Sequence, residues 1–214
     1  MRTLRVLSFG QNFILWSEAK KMDAVQEKCG ISREEALALM EQYIPQDNLR
    51  CHCLATEAIM RQLALNLGAD ADEWGIAGLL HDLDYVETKD DMQRHGLVTE
   101  TVLKEKGVST AITSAIKSHN ADNLGLQRSS KFEHALVAAE SITGLVVATA
   151  LVYPDKKLAS VKSSSIVKRM KQKEFARSVN RDHIKECELI GIPLDQFAQL
   201  SLEAMCSISQ RLGL

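Results

Sequence analysis

Apolar residues in this chain return every three or four positions and not every second one, a spacing that predicts helices from end to end. Ser32-Arg-Glu-Glu35 reads as a capping box that opens a short helix running to about Tyr43, stopped by Pro45. Asp47 or Asn48 can cap the next helix, which runs to about Leu67 before Gly68. Within it His52 shares a face with Ala55, Ile59 and Leu63, the i, i+3, i+7 and i+11 positions, so that face is predicted to point at the core. A third helix starts near Asp70-Ala-Asp72, whose carboxylates suit the positive end of a helix dipole, and ends around His81. Ala77 and Gly78, one turn before His81, would let a neighbouring helix approach closely. Further helices are predicted at about 91–106, 109–118 and 131–152. After Pro154, residues 155–180 turn basic and serine-containing, and amphipathic spacing returns at about 182–190 and 194–212 around Pro193. No stretch sustains two-residue alternation with β-branched enrichment, so no sheet is expected and the fold class is all-α.

Length and composition divide this helical string. With 214 residues and 45% hydrophobic content the chain makes one or at most two domains with a substantial core. Residues 22–153 read as the main helical domain, and 154–214 as a helical extension packed on it, too short and too poor in large apolar side chains to stand alone. Residues 1–21 read as an extension of uncertain origin. Their basic start and apolar middle imitate a signal peptide, but Ser8, Gly10, Gln11 and Asn12 interrupt the apolar run, and Met22 is a candidate start. The 19 residues 135–153 carry one charge and are long enough to cross a bilayer. That charge is Glu140, which is costly inside a bilayer and argues for a buried helix, with no membrane partner.

Charge and cysteines narrow the classes further. Net charge is −2 overall, but residues 155–177 hold eight Lys or Arg against two acidic residues, which is +6 locally and leaves −8 for the rest. This basic stretch has no aromatic residue between Tyr153 and Phe175, so it lacks the stacking platforms of single-strand binders, and nucleic acid ranks last among partners. Five scattered cysteines, an odd number, fit a reducing cytoplasmic setting and not a disulfide scaffold. Cys51-His52-Cys53 does not read as a zinc site, because adjacent helical residues point about 100° apart.

Candidate chemistry gathers at His81-Asp82, which closes the apolar run Gly75-Ile-Ala-Gly-Leu-Leu. His52 lies 29 residues upstream, and His95, His119 and Glu140 follow downstream. Imidazoles and carboxylates are ligands for iron, manganese, zinc and related divalent ions. Glu140, inside an otherwise apolar helix, would be a costly unpaired charge without a cation.

The order H…HD…H…H…(D/E), carried by LRCHCLATEAIM, WGIAGLLHDLDY, RHGLVTETVL, IKSHN and ALVAAESITGL, resembles the HD superfamily of metal-dependent phosphohydrolases over about residues 32–150. It is closest to the small bacterial members and similar in motif order to HD-type diadenosine tetraphosphate hydrolases. The resemblance implies an all-α bundle with one or two divalent ions between its central helices. His52, His81, Asp82 and Glu140 would hold the first ion, and His95 and His119 the second, with Asp82 between the two. A water acidified by the ions would attack a phosphate ester or anhydride of a nucleotide or small phosphorylated metabolite. Asp82 and Asp84 are the catalytic candidates, Asp84 either holding a ligand or carrying a proton. Arg128, Lys131, Lys156 and Lys157, near the two ends of the Glu140 helix, are candidate substrate-binding cations. Glu140 departs from the Asp usual in the family, which leaves a second reading: a scaffold that binds metal and senses a phosphorylated ligand without hydrolysing it. His134 and His183 fit no position of the pattern. A homodimer is compatible with the sequence.

Overall fold

The computed structural model describes residues 25–214; the predicted extension over residues 1–21 and the candidate start at Met22 lie outside the described residues. The described residues begin with a helical stretch at 25–29, and the longer elements that follow are, in order, α1 (Arg33–Tyr43), α2 (Asp47–Leu67), α3 (Ala71–Leu80), α4 (Leu97–Glu105), α5 (Thr110–His119), α6 (Lys131–Leu151), α7 (Ser163–Met170), α8 (Arg181–Lys185) and α9 (Leu194–Ser207). Single turns at Tyr85–Thr88, Ala121–Leu124 and Ser209–Leu212 and two 3-10 turns lie among them. There is no strand among the described residues, and the protein is all-α.

Local chemistry sets the helix ends. Ser32 Oγ accepts from the Glu35 amide while Glu35 accepts from the Ser32 amide, and Ser130 and Glu133 repeat the arrangement at the start of α6. Asp70 accepts the amides of Asp72 and Glu73 at the start of α3. Gly68 closes α2 in the left-handed region at φ 69°.

The two long helices, α2 and α6, each have 21 residues and pack against one another, with α3 wedged beside both and reaching α5. Trp74 through Leu80 of α3 are all buried, so this helix is apolar on every side. Gly78 makes the wedge fit: a Cβ there would lie 2.9 Å from the Thr56 carbonyl oxygen and the Glu57 amide of α2. Trp74 stacks on Phe132 of α6, ring centroids 5.1 Å apart. α6 is long and apolar enough to cross a membrane by length and composition, yet 61% of its most apolar window is buried within the fold. Helices α7, α8 and α9 pack against α6, and α9 also against α2, so Ile166, Ile184 and Phe197 share one contiguous core with Met60, Leu80 and Ile142.

Three stretches differ from the periodicity. α4 starts at Leu97 instead of near 91, because Gly96 turns at φ 83° and the Asp84 carboxylate takes the amides of Gly96 and Thr99 that would otherwise begin the helix. α7 forms inside the basic stretch, where no helix was expected; its one fully buried side chain, Ile166, anchors it against α6 and α9. The last predicted helix breaks at Ile208, and the one before it ends at Lys185 and continues as a 3-10 turn to Glu188.

Candidate metal centre

His52 comes from the middle of α2, His81 caps the end of α3, Asp82 follows it, His95 sits in the loop before α4, and His119 ends α5. The fold turns these separated residues toward one point. His52, His81 and Asp82 form one group, and Asp82, His95 and His119 a second, with the ligand atoms of each group within 4.8 Å of one another. Asp82 belongs to both. One of its oxygens lies 3.6 Å from Nε2 of His52 and of His81, and the other lies 3.3 Å from Nε2 of His95 and 3.7 Å from Nε2 of His119.

All four rings are held the same way. His81 Nδ1 donates to the Gly78 carbonyl at 2.8 Å, and His119 Nδ1 donates to the Ile116 carbonyl. His95 Nδ1 donates to Asp84 Oδ1 at 2.8 Å. His52 Nδ1 donates to Thr143 Oγ1 at 2.9 Å, and Thr143 passes its own hydrogen to the Glu140 carbonyl at 2.6 Å. Each Nδ1 therefore carries a proton and each ring turns its Nε2 inward, which His95 presents as a lone pair once its second proton has left. The Nε2 atoms meet head to head: His52 and His81 at 3.0 Å, His95 and His119 at 2.9 Å. Lone pairs and a carboxylate facing one another at these distances repel unless a cation or proton lies among them, and the nitrogen and oxygen donors suit divalent iron, manganese, zinc and their neighbours. The residues present fit such ions. Each group offers three ligands, which leaves coordination positions for water and substrate.

The electrostatics agree with the geometry. Burial, and then the neighbouring His81, lower His52 to about 4; burial, His95 and His81 lower His119 to about 3. Burial also acts to lower His95, but Asp82 and Asp84 outweigh it and hold that ring up at about 9. Burial would raise Asp82, yet the surrounding histidines keep it well below the usual carboxylate range. Cation binding at the second group thus releases the His95 proton.

Asp84 is 2% exposed and spends its carboxylate on His95 Nδ1 and on the amides of Gly96 and Thr99. It acts behind the ligand: it orients His95 and caps α4. Asn120, which the sequence reading quoted but gave no role, donates from Nδ2 to the carbonyls of Met92 and His95 at 2.7 and 2.9 Å, tying the His95 loop to the end of α5.

The sixth predicted ligand stands apart. Glu140 lines the same cavity but belongs to neither group; its carboxylate accepts from Ser141 Oγ at 2.9 Å and lies 3.9 Å from His183 Nδ1. Burial and the Asp82 charge push Glu140 up to about 8.

The cavity over these residues measures about 630 Å³. None of the four predicted substrate cations lines it. Arg128 is consumed by Glu186 at 2.8 Å, Asp122 at 3.0 Å and the carbonyls of Ser118 and His119, where it neutralises the negative end of α5. Lys131 is exposed at the first position of α6, about 13 Å of helix rise from Glu140. Lys156 and Lys157 are exposed in the loop beyond the far end of that helix. The outer wall instead holds Tyr85, Asn123, Ser178 and His183. His183, which the motif pattern left without a role, comes from the C-terminal extension and is fixed by Asp122 Oδ2 at 2.5 Å from Nε2. No spacing rule could reach it, since the pattern ends at Glu140. His134 stays outside the cavity and pairs with Glu186 at 2.7 Å.

A family model described as HD domain matches residues 49–150, the stretch that contains all of the clustered ligands. No curated protein and no solved structure matches the chain.

Proposed function

We propose, from the HD domain matched over residues 49–150, that this protein is a metal-dependent phosphohydrolase of the HD superfamily that hydrolyses a phosphate ester or anhydride of a nucleotide or another small phosphorylated metabolite in the cytoplasm. The observation that carries the reading is the pair of triads sharing Asp82, with four Nε2 atoms directed inward. Divalent ions held there would supply a nucleophilic water at neutral pH and neutralise charge on the phosphoryl oxygens.

The chain's own residues do the rest. Asp84, Thr143 and the carbonyls of Gly78 and Ile116 hold the four rings in one tautomer, so the ligand set is organised before substrate arrives. Asp82 sets the spacing of the two groups. On the open side, Ser178 and Asn123 would donate to phosphoryl oxygens, and His183, whose Nε2–H is committed to Asp122, would do so from Nδ1 as the imidazolium. Five free cysteines support a reducing compartment.

Turnover of a panel of nucleotides and phosphate esters by the metal-loaded protein tests the reading. Activity abolished by EDTA and restored by manganese, iron or zinc is expected. The position of the Glu140 carboxylate outside both triads favours the second reading, a sensor, and tight binding of a phosphate ester without turnover on any panel member would select it.

A further inference from the structure

A second cavity of about 400 Å³ opens beside the metal cavity and shares Asn48 and His52 with it. The two are stations of one trough between α2 and α6. On α6, Glu140 faces the metal cavity, and Gly144, Val147, Ala148 and Leu151 continue the same stripe at helical spacing into the second cavity. On α2, Asn48, His52 and Ala55 do the same. From Glu140 to Leu151 the helix rises about 16 Å. Leu212 and Leu214 form the opposite wall.

The second cavity is apolar in chemistry as well as in residue type. Thr143, at its floor, has its hydroxyl engaged between His52 and the Glu140 carbonyl, and Cys51 directs its thiol to the Arg211 carbonyl at 3.6 Å. Asn48 stands at the junction, where it meets both compartments. Deeper in, a polar ligand edge would lose its water and find few partners, which costs free energy, whereas an aliphatic group loses nothing. Leu151, half exposed at the rim with 50% of its surface accessible, extends the apolar path outward.

We infer that this compartment is a substrate subsite that receives an aliphatic, hydrogen-bond-poor substituent of a phosphate ester whose phosphoryl group lies at the Asp82 centre. The inference rests on the phosphohydrolase reading and narrows its substrate class. The trough commits the ligand to an amphiphile: an anionic head at the metals and an apolar tail along Val147, Ala148 and Leu151.

Calorimetric titration of the metal-loaded full chain with alkylphosphonates from methyl to decyl tests it without needing turnover. Affinity should rise by about four-fold per methylene while the chain fills the compartment, then level off. Ala148→Phe should erase that gain and leave methylphosphonate affinity and metal content unchanged. Leu151→Ser, on the exposed rim, should shorten the rise without abolishing it, and serves if Ala148→Phe fails to fold. Methylphosphonate binding with no dependence on chain length overturns the inference and leaves the phosphohydrolase reading standing. Adenosine 5′-phosphate binding more tightly than octylphosphonate, with that preference lost in Ala148→Phe, overturns it in favour of a nucleobase. No phosphonate binding at all overturns both.

Discussion

The Nε2 atoms of His52 and His81 lie 3.0 Å apart, although each ring already commits its only proton to Nδ1. Two neutral imidazoles do not attract in that arrangement. His52, His81 and the Asp82 carboxylate would hold a cation there, which would turn repulsion into coordination, and His95 and His119 face the other Asp82 oxygen.

Metal content should follow this sharing. About two equivalents per chain are expected by elemental analysis of protein purified without chelator, from two three-ligand groups. Asp82→Ala should lose both, whereas His119→Ala should keep the ion held by His52, His81 and Asp82. Equal losses in the two variants would show that the groups do not act as separate sites sharing one carboxylate.

Asp84→Asn should act on one group only. Asp84 orients His95 but touches neither His52 nor His81, so affinity at the second group should fall by about 10–100-fold, with the first unchanged. Competition with a chromophoric chelator measures this. The same variant weakens the cap on α4, so a loss of stability of about 1 kcal/mol should accompany it.

Gly78→Ala should separate packing from ligation. The added methyl would meet α2 backbone, which cannot swing aside as a side chain can, so a loss of about 1–3 kcal/mol is expected. Denaturant unfolding with excess chelator reads the effect free of metal binding. An unchanged midpoint would show that α3 can shift from α2 at no cost.

His183→Ala should lower kcat/KM by about 10–100-fold, the scale of one hydrogen bond to a charged group, while metal content stays at the wild-type value. Arg128→Ala, which removes a bracket between α5 and Glu186, should instead show as a lower unfolding midpoint. If the His183 variant turns over normally, the outer wall does not hold the phosphoryl group.

Much of this was legible along the chain. Ser32 and Glu35, Asp70 and Gly68 mark helix ends because capping is local: the groups that meet are within a few residues of one another. Ala77 and Gly78 foretold a close helix contact, and Gly78 makes it. The resemblance implied six ligands, and the fold brings five of them together while Glu140 stands apart in the same cavity. The α4 start was missed because Asp84, twelve residues before Gly96, caps it from a distance that no local rule covers.

The sequence by itself therefore determined the helices, the all-α class and which side chains could bind metal, since periodicity, capping and donor chemistry are properties of short stretches and residue types. Tertiary structure alone decided the rest. Arg128 looked like a free cation until the fold put Glu186 and two carbonyls around it, and His183 looked idle until α8 packed on α6 and carried it to the cavity. Glu140 faces the cavity yet stands outside both triads, and the trough beyond it exists only where α2 and α6 run side by side. Such relations depend on which helices touch, and that is set by the simultaneous burial of apolar faces from the whole chain.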